Sequence, residues 1–184
     1  MKIKKICFVI GSRANYSSIK SVLIEVKKNK KLKLQLVIGA SAVLDKYGTL
    51  IDQIRKDGFK PDVYLNTIIE GNTPLVMAKS TGLGLIEIPS AFEKLNPDIV
   101  FTIGDRFETM STVLSAAYMN IPIAHSMGGE VSGNIDESIR HAITKFSHIH
   151  FPASKDAYKR ILKLGEDKKT VQLVGCPRID IVSK

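Results

Sequence analysis

Branched apolar runs recur along the chain, and all but the last give way, through a turn, to a stretch with apolar residues at helical spacing. Residues 3–10 form such a run. Gly11-Ser12-Arg13-Ala14-Asn15-Tyr16 closes it, and Ile19, Val22, Leu23 and Val26 then mark one face of a helix over 17–30. The pattern returns with runs at 32–38, 62–69 and 98–103, a fifth opening at Ile121, and runs at 148–153 and 170–174. Helical spacing is read over 50–56, 72–95, 108–118, 136–145 and 155–164. Within 72–95, Gly82, Gly84 and Pro89 weaken helical continuity. Short runs without alternation are strands buried on both faces, and strands separated by helices pair parallel through right-handed crossovers. The expected fold is therefore α/β: a Rossmann-like, doubly wound parallel sheet with helices on both faces, in one domain spanning 1–184.

The length of 184 residues suits one domain of ordinary size, and 44% hydrophobic with 24% charged residues is the composition of a soluble globular protein. A net charge of +9 raises the question of a polyanion. The densest cluster, Lys27, Lys28, Lys30, Lys31 and Lys33, falls at a helix C-terminus, where cations complement the dipole, and no aromatic residue interleaves it for base stacking. A solvated helix end is expected, with no nucleic acid as partner. Cys7 and Cys176 stand far apart and in no metal-ligand spacing, which fits a reduced cytoplasmic protein. The run at 6–10 is too short for a signal-peptide core, and no stretch suits a membrane span. No helical signal follows Gly175-Cys176-Pro177-Arg178 to cover a sheet edge, so a longer polypeptide is expected.

In an open parallel sheet, ligands bind beyond the carboxyl ends of the strands. Three loops belong there: 11–16, 104–106 and 128–130, which should converge on one crevice. A single glycine in the first loop argues against a bound dinucleotide. Arg13, at the start of a helix, is placed to hold a phosphate. Asp105 follows a strand buried on both faces, so its carboxylate must be paired, with Arg106 as the adjacent partner, or shifted in pKa. The segment from Gly128 to His141 sets Glu130, Asp136, Glu137, Arg140 and His141 among three glycines. On packing grounds alone, Asp136 would cap a helix, Glu137 would complement its dipole, and Arg140 and His141 would be solvated. As a group, these residues offer several carboxylates in a partly dry cleft, where one residue type can act as both acid and base. No serine-nucleophile elbow and no zinc-binding spacing is present, so no metal is expected.

Four segments together resemble the N-terminal domain of the hydrolysing UDP-N-acetylglucosamine 2-epimerase family, in the branch that serves sialic and legionaminic acid synthesis. They are Gly11-Ser12-Arg13-Ala14-Asn15-Tyr16, Gly104-Asp105-Arg106-Phe107-Glu108, the segment from Gly128 to Ile143, and Gly175-Cys176-Pro177. The resemblance implies the first half of a GT-B-type enzyme, without the C-terminal UDP-binding domain. It further implies proton abstraction at the sugar C2, anti elimination of UDP and addition of water, with no cofactor. Asp105, Glu130 and Asp136 match the catalytic carboxylates; Arg13, Arg106, Glu137, Arg140 and His141 match substrate-binding positions. Relatives often carry a glutamate where this chain has Met127, which cannot exchange a proton. The substrate would be a 2-acetamido UDP-sugar, and the full-length enzyme a homo-oligomer. A glycosyltransferase of the same fold and a non-catalytic nucleotide-binding module stand as alternatives.

Overall fold

A computed structural model describes residues 2–44 and 50–182. The strands are β1 (Lys4–Ile10), β2 (Leu32–Ile38), β3 (Val63–Tyr64), β4 (Ile99–Ile103), β5 (Ile123–Ser126) and β6 (Ile149–Phe151). The helices are α1 (Arg13–Lys28), α2 (Leu50–Lys56), α3 (Pro74–Leu95), α4 (Phe107–Tyr118), α5 (Ile135–Phe146), α6 (Lys155–Lys163) and a short α7 (Ile179–Val182). All pairings are parallel, in the order β3-β2-β1-β4-β5-β6. The sheet is thus doubly wound, and strand order reverses between β1 and β4.

The apolar runs are explained by the two cores they feed. Ile6, Phe8 and Ile10 of β1 pack with Ile19 and Leu23 of α1, while Cys7 joins Val100, Phe92, Val113 and Ile143 on the other face. Each such side chain, fully buried, contributes roughly 1.5–3 kcal/mol. Burial pushes the Cys7 thiol up to about 12, so it packs as an inert apolar group. None of the helices among the described residues is long and apolar enough to cross a membrane.

Several expectations are corrected. α1 begins at Arg13 and not at Ser17, because the Ser12 side chain accepts from Asn15 N at 3.2 Å and caps the helix four residues earlier. α3 runs unbroken through Gly82, Gly84 and Pro89, because packing on α4 outweighs propensity; Ser111 Oγ donates to Thr81 O at 2.9 Å across that contact. The third strand shrinks to two residues. Beyond it the chain is held by other means: Thr67 Oγ1 accepts from Ala40 N and Ser80 Oγ from Ile69 N. The run at 170–174 is no strand and makes a single bridge, Val171 to His150. Pro152 follows β6 and has no N–H with which to extend the ladder. The chain past Pro177 forms α7, and Ser21 Oγ of α1 donates to Pro177 O at 2.9 Å. In the lysine cluster, Lys27 is not merely solvated: its ammonium donates to Gly58 O and lies 5.5 Å from the Phe59 ring centroid.

Candidate active site

Where strand order reverses, the loops after β1 and β4 part and open a crevice at the carboxyl edge of the sheet. Asn15 of α1 donates to Ile103 O at 3.5 Å, joining the two sides. Arg13 sits exposed at the first position of α1. After β4 come Gly104, Asp105 and Arg106, the last at the N-cap position of α4. Arg106 does not pair with Asp105 as its neighbour in sequence; its Nε meets Glu108 Oε1 at 3.1 Å instead. Arg106 caps α4 with extended backbone, and Glu108 stands in the first turn of that helix.

The partner of Asp105 comes from 35 residues away. Arg140 of α5 is buried, donates through Nη2 to Asp105 Oδ2, and through Nη1 to Glu130 O at 2.7 Å. One guanidinium therefore ties the loop after β4 to the loop after β5. The latter leaves β5 through Met127, whose φ of +62° is left-handed, and whose N–H donates to Phe151 O at 3.0 Å. Gly129 follows with φ +79°, and a Cβ there would stand 2.5 Å from Ala157 O, so only glycine fits against α6. The Glu130 carboxylate accepts from Ser154 Oγ at 2.9 Å.

On α5, the cap is Asn134 and not Asp136: Asn134 Oδ1 accepts from Asp136 N at 3.0 Å. Glu137 accepts from the Ser132 and Gly133 N–H groups at 2.8 and 2.7 Å, which hold its carboxyl below the usual glutamate range. His141 Nε2 lies 3.8 Å from Glu137 Oε1.

Two adjoining crevices result. One of about 210 Å³ is lined by Asp105, Glu130, Arg140, Met127 and Asn15; the other, of about 600 Å³, has Arg13 and Phe107 in its wall, and Arg106 borders both. The three glycine loops do converge, and Asp105 and Glu130 face one cleft. Asp136, Glu137 and His141 line neither crevice.

Three residues that sequence reasoning did not single out belong to this arrangement. Burial pushes the Glu108 carboxyl above the ordinary glutamate range, against the pull of Arg106 and with Asp136 adding to the rise. His125, fully buried in β5, lies 3.0 Å through Nε2 from Gly104 O; a carbonyl only accepts, so the proton is on Nε2. Burial lowers the His125 pKa to about 4. Ser154 caps α6 and holds Glu130. Ser154 carried a signal as a cap before a helical run, and Glu108 as the last residue of the matched segment that begins at Gly104.

Comparison with known proteins gives consistent results. The family model for UDP-N-acetylglucosamine 2-epimerase matches residues 24–184. The chain is 34% identical over 178 residues to the UDP-N,N'-diacetylbacillosamine 2-epimerase (hydrolyzing) of Legionella pneumophila, covering 97% of this chain and 47% of that protein. It is 35% identical over 176 residues to the GDP/UDP-N,N'-diacetylbacillosamine 2-epimerase (hydrolyzing) of Campylobacter jejuni, covering 95% and 46%. The crystal structure of UDP-GlcNAc 2-epimerase from Neisseria meningitidis bound to UDP-GlcNAc superposes with a TM-score of 0.85 at 24% identity, over 97% of this chain and 48% of that one. That likeness shows a shared fold. The chain spans about half the length of the relatives it matches.

Proposed function

The chain belongs to the UDP-N-acetylglucosamine 2-epimerase family, and from that membership we propose that it is the N-terminal half of a hydrolysing UDP-sugar 2-epimerase of GT-B type. The observation that carries this reading is the meeting of Asp105 and Glu130 in one cleft around Arg140, beside a larger crevice edged by Arg13 and Arg106. A sugar ring in the smaller cleft has carboxylates within reach, while the two arginines offer the diphosphate paired donors. The relatives named above support a substrate that carries an acetamido group at C2.

In the proposed reaction a carboxylate takes the C2 proton, the C1–O bond breaks, and UDP leaves with the electron pair, forming a 2-acetamidoglucal. Water then adds: its hydroxyl goes to C1 and its proton to a carboxylate, while a carboxylic acid gives a proton to C2 on the face opposite the one first deprotonated. The sum is UDP-sugar plus water to free 2-epimer plus UDP. Asp105 and Glu130, which line the cleft, supply base and acid, with Asp136 of the first turn of α5, outside both crevices, as the third candidate, and Met127 takes no part in proton transfer. Arg140 holds Asp105 in place, and Glu137 and His141 act through the loop they brace. A second domain would complete the nucleotide site, and the full-length enzyme would be a homo-oligomer.

The test is to incubate the full-length enzyme carrying this chain with UDP-N-acetylglucosamine and with a 2,4-diacetamido-trideoxy UDP-sugar. UDP and the free 2-epimer are expected from one of them. Neither product from either substrate removes the proposal, and transfer to an acceptor without epimerisation favours a glycosyltransferase.

A further inference from the structure

We propose that Glu108 is a positioning residue of this site: it holds the Arg106 guanidinium where the two crevices meet, and through Arg106 it sets the affinity for an anionic ligand. The inference rests on the reading that Arg106 meets the substrate's diphosphate. Four observations lead to it. The Glu108 side chain is 9% exposed whereas that of Arg106 is 52% exposed, so a buried acid anchors a cation that reaches into the opening. The closest approach of the ion pair is through Nε, 3.1 Å from Glu108 Oε1. Among the described residues neither Nη group donates a hydrogen bond, and these are the groups that grip phosphate oxygens in pairs. The Phe107 ring centroid lies 5.7 Å from Arg106 Cζ and bounds the guanidinium on another side.

The fold also makes room for this carboxyl. A Cβ on Gly11 would come within 2.6 Å of Glu108 Cγ, so the turn after β1 is cut to fit Glu108 at the switch point. Its second oxygen, Oε2, is buried with no partner among the described residues. An acid in that state costs stability, and an apolar residue would fill the place without the cost. Nothing in the packing of α4 requires it, whereas holding Arg106 does. The crossed pairing supports the same division: Asp105 is engaged by Arg140, which leaves Glu108 as the acid assigned to Arg106.

In the full-length enzyme, Glu108→Ala is expected to raise KM for the UDP-sugar about tenfold while kcat falls by less than about threefold, the signature of lost uniform binding. Glu108→Gln, which keeps an acceptor for Nε, is expected to recover most of the loss. In an Arg106→Ala background, Glu108→Ala should add nothing, because its effect passes through the missing guanidinium. The Arg106 Nε–Hε resonance should shift in Glu108→Ala, and titration with pyrophosphate should show weaker binding without any turnover. A KM rise of equal size in the Arg106→Ala background, an unmoved Nε–Hε resonance, or unchanged pyrophosphate affinity overturns the proposal. Wild-type enzyme that releases no UDP fails the functional reading instead; the resonance and the pyrophosphate titration still decide the role of Glu108.

Discussion

Arg140 brings a cation into a buried position and commits its two outer nitrogens to different chain segments, Asp105 on one side and the Glu130 carbonyl on the other. A lysine retains the charge but not the planar fork, so it can satisfy only one of them well. We expect Arg140→Lys to lower stability by about 2 kcal/mol, a charged hydrogen bond's worth, with Asp105 itself only partly buried. In the full-length enzyme proposed above, UDP release should fall about 10²-fold as Asp105 loses its setting. Urea denaturation read beside the activity checks both, and wild-type activity in the lysine variant would exclude the fork. This contact was not legible from residue order, which pointed to Arg106 as the partner of Asp105. A helix places residues three and four apart on one face, and the tertiary fold brings together residues 35 apart.

At the level of elements, α6 and the glycine loop are joined through one hydroxyl. Ser154 Oγ accepts from Ala157 N at 3.1 Å as the helix cap and donates to Glu130 Oε1 at 2.9 Å. The two roles separate by substitution. Ser154→Ala should cost about 1 kcal/mol, while Ser154→Gly, a tolerable cap, should cost only a few tenths. Both lose the Glu130 partner, so both should lose activity alike, by about tenfold for one hydrogen bond to a carboxylate. Thermal melts and initial rates on the two variants check this; activity that tracks stability would show that Ser154 serves only the helix. Element boundaries were legible where a cap or glycine sits beside a periodic run, as for β2, α2 and α4. They were not where packing decides, as for the unbroken α3, or where a neighbour fails to offer donors, as for the run at 170–174.

For the molecule as a whole, acid stability should fall in two windows. Burial lowers the His125 pKa from an ordinary 6.5 to about 4 and lowers that of His150, with Glu166 opposing the latter. Between these values the unfolded chain binds protons that the folded chain refuses, so stability declines as pH drops from about 6.5 towards 4, by on the order of 3 kcal/mol for His125. Asp57 and Glu137 have carboxyls held below their ordinary range, by Lys20 and Tyr16 against burial in the first case and by backbone N–H groups in the second; their contribution is lost at lower pH still. Glu108 runs the other way, since its raised pKa favours the folded state below its ordinary range and loses that advantage as pH rises. Urea midpoints measured across pH 4–7 should show the first decline, and His125→Gln should flatten it; an unchanged slope in that variant would assign the decline elsewhere.

The order of apolar runs, glycine turns and helical periods by itself determined the layer architecture, because strands buried on both faces and joined by helices have one common way to pack. It also determined which loops face the carboxyl edge of the sheet. Only the tertiary structure decided the pairing of charges at that edge: Arg140 with Asp105, Arg106 with Glu108, and buried His125 beneath Gly104. The reason is that periodicity reports which face of an element is apolar, whereas an ion pair depends on the distance and angle between elements. Those are set when the two cores close and not before.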